Sequence, residues 1–328
     1  MIRSIYRSLA VPNAPAPFDR IYLKVFYPAQ YGDTPAERDS GVIPVDATAG
    51  AMPVVVFFSG VNCPMEGYRW LAVELAQAGF VVATFDWIAQ DLPGRISLTP
   101  GVNLAQLRPD TYGTAPTGTA IATLSNALQE LNQEGVLAGA LDLSRIALGG
   151  HSAGGSIALQ NANPTWFAGV RAVFTYGAHT QAATFLGWQP DTVLPLPAGP
   201  AYLLAGGTRD GVIAASRGRY EAGDNHPLRP ILRTYALART YSPAYFAEFS
   251  GANHFMLVHP SDETTGRPFL DFEPTTDPAH SRSAFANVVK TFLSAYLKED
   301  ATAFKTLSRW QQTPPQCVAH WLSGQLDE

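Results

Sequence analysis

Hydrophobic and polar residues alternate at the start of the chain. Residues 4–11 and 21–27 both alternate in this way, and the segment VPNAPAPFDR, with its three prolines, separates them. A period of two residues is typical of strands that bury one face. The start of the chain therefore predicts an antiparallel hairpin, and the Gly-, Asp-, Pro- and Ala-rich residues 31–51 that follow predict a loop.

Continuous apolar runs replace this alternation from residue 53 onward. Runs such as PVVVFF are typical of strands buried on both faces, and segments with helical spacing lie between them. The predicted strands cover residues 53–58, 80–85, 145–148, 170–176, 201–205 and 245–249, and the predicted helices cover 67–78, 117–131, 155–160 and 282–297. This order predicts an α/β fold with a mostly parallel central sheet and helices on both faces.

Three long irregular stretches interrupt the pattern, at residues 88–116, 177–199 and 256–281. Loops of this length are uncommon in compact domains unless they have a function, so we expect them to cover an active site. Residues 300–328 predict a C-terminal tail. Because no internal repeat or linker divides the sheet, we expect one domain over residues 1–328.

The charge balance excludes nucleic acid as a partner. The chain has 22 Lys and Arg against 27 Asp and Glu, a formal net charge of -5, and no run of like charges. Hydrophobic residues make up 46% and charged residues only 15% of the chain. This composition is typical of a compact protein with an apolar surface, and it favours a small-molecule or lipid-like substrate.

No apolar run approaches the ~20 residues needed to cross a bilayer, so we expect no transmembrane segment. The N-terminus lacks the unbroken apolar stretch of a secretory signal, which predicts a cytoplasmic protein unless a signal preceding residue 1 has been removed. Only Cys63 and Cys317 are present, too few for a disulfide framework or a zinc site. A bridge between them, which would join the tail to the loop after the first buried strand, is the alternative to two free thiols.

The segment IALGGHSAGGS carries the strongest chemical signal. Residues 150–154 match the G-x-S-x-G pattern, with an apolar strand before them and a small-residue helix after them. This strand–turn–helix setting lifts the Ser152 hydroxyl clear of the sheet. Gly150 and Gly154 suit a strained turn in which neighbouring backbone leaves no room for a Cβ atom. The alternative is a glycine-rich turn with an inert serine.

The order of elements and the GHSAGG motif resemble the α/β-hydrolase superfamily over nearly the whole chain. Within it, PVVVFFSGVNCPMEGY is similar to the branch that contains dienelactone hydrolases, chlorophyllases, platelet-activating-factor acetylhydrolases and cutinase-like polyester hydrolases. Dienelactone hydrolases use cysteine at the elbow, where this chain has Ser152. Chlorophyllases read GHSRGG with an acid after the sixth strand, whereas Ala153 follows Ser152 here and residues 176–179 offer no carboxylate.

A serine nucleophile needs a base and an acid that orients the base, and the superfamily order is serine, acid, histidine. Asp210 follows the strand AYLLAGG and resembles the acid of cutinase-like enzymes, and His254 follows the strand YFAEF. Both lie at the strand end where Ser152 emerges, the edge at which open α/β sheets carry their sites. The alternatives are His259 as the base and Glu248, Asp86 or Asp191 as the acid, whereas His151 is expected to pack locally.

Two backbone amides complete the predicted site as an oxyanion hole. The amide of Ala153 lies at a helix N-terminus, and that of Val61 lies where relatives carry His-Gly-x. Trp87 and Trp188 follow on the same edge and are candidates to line an apolar pocket, although ordinary packing explains them equally well. No H-E-x-x-H or similar cluster indicates a metal, and no cofactor is expected.

These residues predict a serine esterase that forms an acyl-enzyme. His254 would take the Ser152 proton during attack on an ester, and then activate water. A chlorophyllase-type or lipid esterase is compatible with the same residues. An acyltransferase or a non-catalytic binding protein on the same fold are the alternatives.

Overall fold

One mixed β-sheet organises the part of the chain that the computed structural model describes, residues 1–92, 94–220 and 226–324. Its strands are β1 (Ile2–Ala10), β2 (Arg20–Pro28), β3 (Met52–Phe58), β4 (Val81–Leu92), β5 (Arg95–Leu98), β6 (Leu141–His151), β7 (Val170–Tyr176), β8 (Ala201–Arg209), β9 (Ala244–Asn253) and β10 (Val318–Gly324). The α-helices are α1 (Pro35–Ser40), α2 (Arg69–Gln77), α3 (Ile121–Gln133), α4 (Ser152–Gln160), α5 (Gly211–Ala215), α6 (Arg229–Ala238), α7 (Pro278–Lys298) and α8 (Ala301–Arg309). Among the described helices, none combines the length and the apolar character that a membrane span requires.

The sheet order is β1-β2-β4-β3-β6-β7-β8-β9-β10, and β5 pairs with β4 outside this path. The strands from β4 to β9 along this order are parallel, whereas β1, β2 and β10 are antiparallel to their neighbours. The predicted α/β fold with a mostly parallel sheet and an N-terminal antiparallel hairpin is therefore confirmed.

Apolar side chains from both faces of the sheet form two cores. In the first core, Val54, Val56 and Phe58 of β3 pack together with residues of α3, α4 and α6. In the second core, on the other face, Val55 and Phe57 pack together with residues of α2, α7 and α8. A strand covered on both sides cannot alternate polar with apolar residues. This explains the continuous run in the sequence and places helices on both faces.

The largest differences from the sequence predictions concern the ends of elements and the C-terminal tail. The predicted C-terminal tail at residues 300–328 contains α8, which packs on the second core, and β10, which pairs with β9. Its last four residues, 325–328, lie outside the described part of the chain. The predicted loop at residues 31–51 contains α1, and the predicted loop at 88–116 begins with the end of β4 and with β5. The helix α6 was not predicted. The single-domain boundary and the cytoplasmic location stay predictions.

Candidate active site

The carboxyl ends of four parallel strands, β3, β6, β8 and β9, bring the predicted site residues to one edge of the sheet. Val61 follows β3, Ser152 follows β6, Asp210 follows β8, and His254 follows β9. Because these strands run in the same direction, their following loops meet. Ser152, Ala153 and His254 line the same two cavities at this edge.

Ser152 lies in a sharp turn between β6 and α4. Its φ angle is 54°, in the left-handed region that a residue with a Cβ rarely adopts. A Cβ at Gly150 would lie 2.6 Å from the backbone of Gly154, and a Cβ at Gly154 would lie 2.3 Å from the carbonyl oxygens of Phe58 and Ser59. The predicted need for both glycines therefore has a direct steric cause.

Asp210 and His254 form a buried pair beside this turn. Asp210 Oδ2 is 2.7 Å from His254 Nδ1, and its other oxygen accepts the Ile213 amide at 2.8 Å as the N-cap of α5. The two side chains are almost fully buried. A carboxylate at Nδ1 keeps the proton on that nitrogen and leaves Nε2 free to accept one.

The amides of Val61 and Ala153 lack acceptors in the described part of the chain, although amides around Val61 are bonded. Gly60 donates to the Tyr68 hydroxyl, Asn62 donates to the Leu98 carbonyl, and Cys63 donates to the Gly60 carbonyl. Val61 and Ala153, like Ser152, line the larger of the two cavities at this edge, the second cavity. Two free donors beside a nucleophile can bind a developing oxyanion.

Tyr68 and His151 form a chain of hydrogen bonds beneath the site. His151 Nε2 lies 3.0 Å from the His254 carbonyl oxygen, which can only accept, so Nε2 carries the proton. Burial and then the neighbouring His254 hold the pKa of His151 well below its ordinary value. The neutral ring accepts from the Tyr68 hydroxyl at 2.8 Å, and this hydroxyl accepts from the Gly60 amide at 3.2 Å. These bonds connect the loop after β3 with the backbone of His254.

Asp271 connects the loops of the acid and of the base. Its Oδ1 accepts the Gly211 amide at 2.9 Å, and its Oδ2 accepts the Phe255 amide at 3.0 Å. Burial raises the pKa of Asp271, while these amides oppose the shift. Asp271 could not be recognised from the sequence because it lies in an irregular segment, where no periodicity indicates what a side chain contacts.

The alternative acids and base lie in other surroundings. Asp86 Oδ1 accepts the Met65 amide at 2.7 Å, Asp191 pairs with Arg233, and Glu248 Oε2 is 3.2 Å from His320 Nδ1. His259 is exposed and is not among the described residues that line either cavity at Ser152. Among the candidates, the structure therefore brings Asp210 and His254 together.

The first cavity at Ser152 is small and mostly apolar. It has a volume of about 230 Å³, and its walls include Leu104, Leu107, Ile157, Phe185, Leu186 and Trp188. Residues from all three predicted cover loops, 88–116, 177–199 and 256–281, thus line it, the last through Arg267. The Trp188 ring nitrogen donates to the Leu107 carbonyl at 2.7 Å, which fixes this wall.

Trp87, unlike Trp188, does not line the first cavity. It is buried in the first core, its ring nitrogen donates to the Phe18 carbonyl at 2.8 Å, and it is not among the described residues that line either cavity. The proposed role of Trp87 in an apolar pocket is therefore corrected to core packing. The sequence predicts that the strand ends at residue 85, before Trp87. β4 in fact continues through Trp87, so this side chain lies within the sheet and not in a loop at its edge.

His179 adds one polar group to the first cavity. Its Nδ1 accepts the Gln181 amide at 3.1 Å, and its ring packs edge-on against Tyr220. Burial lowers the pKa of His179 to about 4, so the ring is neutral near pH 7 with its proton on Nε2. The wall of this cavity therefore includes an uncharged donor.

Cys63 and Cys317 are both free, so the alternative of a bridge between them is not realised. Cys63 is buried near the second cavity, and burial raises the pKa of its thiol to about 11. Such a thiol is protonated near pH 7 and a poor nucleophile. Among the described residues, no group of three or more His, Cys, Asp or Glu side chains could hold a metal ion.

Gly177 lies against the pair of Asp210 and His254, although no sequence motif indicates it. Its φ angle is 61°, and a Cβ there would lie 3.0 Å from His254 Nδ1 and 3.2 Å from Asp210 Oδ2. We expect Gly177→Ala to lower kcat for an ester by about tenfold or more, because a small displacement of the base is costly. Initial rates on a chromogenic ester measure this effect.

Gly139→Ala is the matched control for this change. Gly139 also has a positive φ, 72°, but a Cβ there meets nothing within 4 Å. Both variants carry the left-handed strain of about 1–2 kcal/mol, so thermal melts should show similar losses while only Gly177→Ala loses activity. Equal kinetic effects in the two variants would contradict the proposed contact.

Comparison with known proteins assigns no family to this chain. No protein-family model matches it. No curated protein matches it either.

Proposed function

We propose that this protein is a serine hydrolase that cleaves carboxylic esters, with an α/β-hydrolase fold. The observation that carries the proposal is the buried 2.7 Å hydrogen bond between Asp210 and His254, beside a serine held at positive φ between a strand and a helix. The order of these residues along the chain is that of the α/β-hydrolase triad. The positions of Ser152 and His254 on the same cavities support their acting together.

The proposed reaction has two steps. In the first, Ser152 Oγ attacks the ester carbonyl as His254 Nε2 takes its proton, and the Val61 and Ala153 amides stabilise the oxyanion. The proton then passes to the leaving alcohol, and an acyl-enzyme remains. In the second step, His254 takes a proton from water as the water attacks the acyl carbonyl, and Ser152 regains its proton when the acid leaves.

Several features favour an apolar acyl group. The first cavity is lined mainly by aliphatic and aromatic side chains and lies next to Ser152. Its volume of about 230 Å³ is below the range of roughly 300–1,000 Å³ typical of drug-sized ligands. We therefore expect a short or medium acyl chain there. Lipid and chlorophyll esters stay alternatives for the same triad.

Labelling with a fluorophosphonate, followed by peptide mass spectrometry, tests the proposal. We expect one adduct, on Ser152, which is absent from Ser152→Ala. Ser144→Ala is the control, because Ser144 lies at the other end of β6 and its hydroxyl contacts Asp142. Absence of an adduct from the folded wild-type protein would overturn the proposal and favour a binding protein.

An added alcohol separates the hydrolase from the acyltransferase. A hydrolase releases the free acid as the main product from a chromogenic ester, even when a short alcohol is present at millimolar concentration. An acyltransferase would instead yield mainly the new ester. Chromatography of the acyl products distinguishes the two outcomes.

A further inference from the structure

The second cavity at Ser152 has an unbalanced charge. It has a volume of about 520 Å³, and residues 60–63 after β3, residues 94–97 and residues 266–267 contribute to its walls. Among the described residues that line it are three arginines, Arg95, Arg219 and Arg267, and none of these lining residues is acidic. The chain as a whole has more acidic than basic residues. A local cluster of positive charge therefore stands out from the average.

None of these three arginines has a side-chain hydrogen bond or ion pair with another described residue. Some arginines elsewhere pair with carboxylates: Arg38 pairs with Asp33, and Arg145 pairs with Asp142. Arg267 is only partly exposed. Arg219 is exposed. Burial and then the Arg219 charge lower the pKa of Arg267, while Tyr220 and Asp210 oppose the shift, so the two cations repel one another at the partly buried Arg267. An anion between them would relieve this repulsion.

Arg219 and Arg267 also lie at the junction of the two cavities. Both line the apolar first cavity and the second cavity, as do Ser152 and His254. A group bound by these arginines would therefore lie near the reacting carbonyl. The guanidinium group presents paired N–H donors that match the two oxygens of a carboxylate or phosphate.

We propose that the second cavity binds an anionic group, a carboxylate or a phosphate, on the alcohol portion of the ester. The acyl chain occupies the first cavity. The inference rests on the proposed function for its ester and its orientation. The substrate class is then an acylated hydroxy acid or an acylated alcohol phosphate. Arg219 and Arg267 hold the anion and orient the ester.

Three butanoyl esters test the inference by the rate of butanoate release. They are 3-(butanoyloxy)propanoate, 2-(butanoyloxy)ethyl phosphate and the neutral amide 3-(butanoyloxy)propanamide. We expect kcat/KM for at least one anion to exceed that for the amide by about 10–100-fold, as expected for charge-assisted hydrogen bonds. The preferred anion identifies carboxylate or phosphate. Equal values for all three esters would overturn the inference.

Arginine variants assign the preference to the cavity. Arg267→Gln and Arg219→Gln should each bring the ratio of anion to amide close to one. Arg217→Gln is the matched control, since Arg217 is exposed and is not among the described lining residues of either cavity. A ratio that stays at the wild-type value in both cavity variants would also overturn the inference.

Binding to Ser152→Ala separates this inference from the proposed function. Calorimetry with the intact esters should show tighter binding of the anion than of the amide, and Arg267→Gln added to Ser152→Ala should remove the difference. If anions bind in this way but no ester is cleaved, the esterase proposal fails and the anion site stands. If Ser152 is labelled and the neutral ester 3-(butanoyloxy)propanamide is hydrolysed as fast as the anionic esters, only the anion-site inference fails.

Discussion

Replacement of His254 by glutamine should lower kcat/KM for a chromogenic butanoyl ester by roughly 10⁴-fold or more. Glutamine retains a polar side chain of similar length but cannot take the Ser152 proton. The loss should appear in kcat rather than in KM, because the proton transfer belongs to the transition state. Steady-state rates, measured together with a thermal melt to verify folding, provide the test.

His259→Gln is the matched control for this variant. His259 lies five residues further along the chain and is exposed. Its substitution should leave kcat/KM within about twofold, as expected for a surface residue that is remote from the chemistry. Loss of activity in His259→Gln with retention in His254→Gln would reverse the assignment of the base.

Gly154→Ala should destabilise the fold by about 3 kcal/mol or more. The new Cβ would lie 2.3 Å from the Phe58 and Ser59 carbonyl oxygens. Those atoms are backbone at the end of the central strand β3, so no side-chain rotation can relieve the contact. The helix α4 would have to move away from the sheet, and the loop that carries Val61 would move with it. Urea unfolding followed by tryptophan fluorescence measures the loss.

Gly218→Ala is the control for the added methyl group. A Cβ at Gly218 meets nothing within 4 Å, and its φ is not in the left-handed region. Its free energy of unfolding should stay within about 0.5 kcal/mol of the wild-type value. A similar loss in both variants would mean that the contact at Gly154 is relieved elsewhere.

Elements with a strong pattern could be predicted from the sequence. The strand at residues 170–176 has the predicted bounds, and the hairpin of β1 and β2 lies within two residues of its predicted position. The ends of strands were less predictable where a strand extends beyond the part of the sheet that helices cover on both faces. β4 continues beyond the apolar run at 80–85 because its end pairs with β5 instead of lying between two layers of helices. Such a segment need not be apolar.

The C-terminal elements could not be recognised for a related reason. β10 contacts the sheet along one edge, and only some of its side chains, such as Val318 and Trp321, are buried. A short edge strand with mixed burial has no distinct periodic signal. The tertiary partner, β9, stabilises it, and that partner cannot be read from residues 318–324 alone.

The candidate site was predictable where chemistry depends on a local motif. Ser152 and its glycines follow from a strand–turn–helix pattern, and Asp210 and His254 follow from their positions after strands. Asp271 and Tyr68 act through contacts with residues distant in sequence, Gly211 and His151 respectively. The same limit explains the arginine cluster, since its members are 124 and 48 residues apart, from Arg95 to Arg219 and on to Arg267.

The antiparallel pairing of β10 with β9 has a consequence for how molecules of this protein meet one another. Without β10, the ten residues of β9 would present unpaired backbone groups to solvent, a template on which another chain could add a strand. The outermost strand is instead β10, which is seven residues long, has a shift in register between Val318 and His320, and exposes the polar His320. An edge with a shift in register and an exposed polar side chain resists edge-to-edge aggregation, so β10 protects the strand that leads to His254 from self-association.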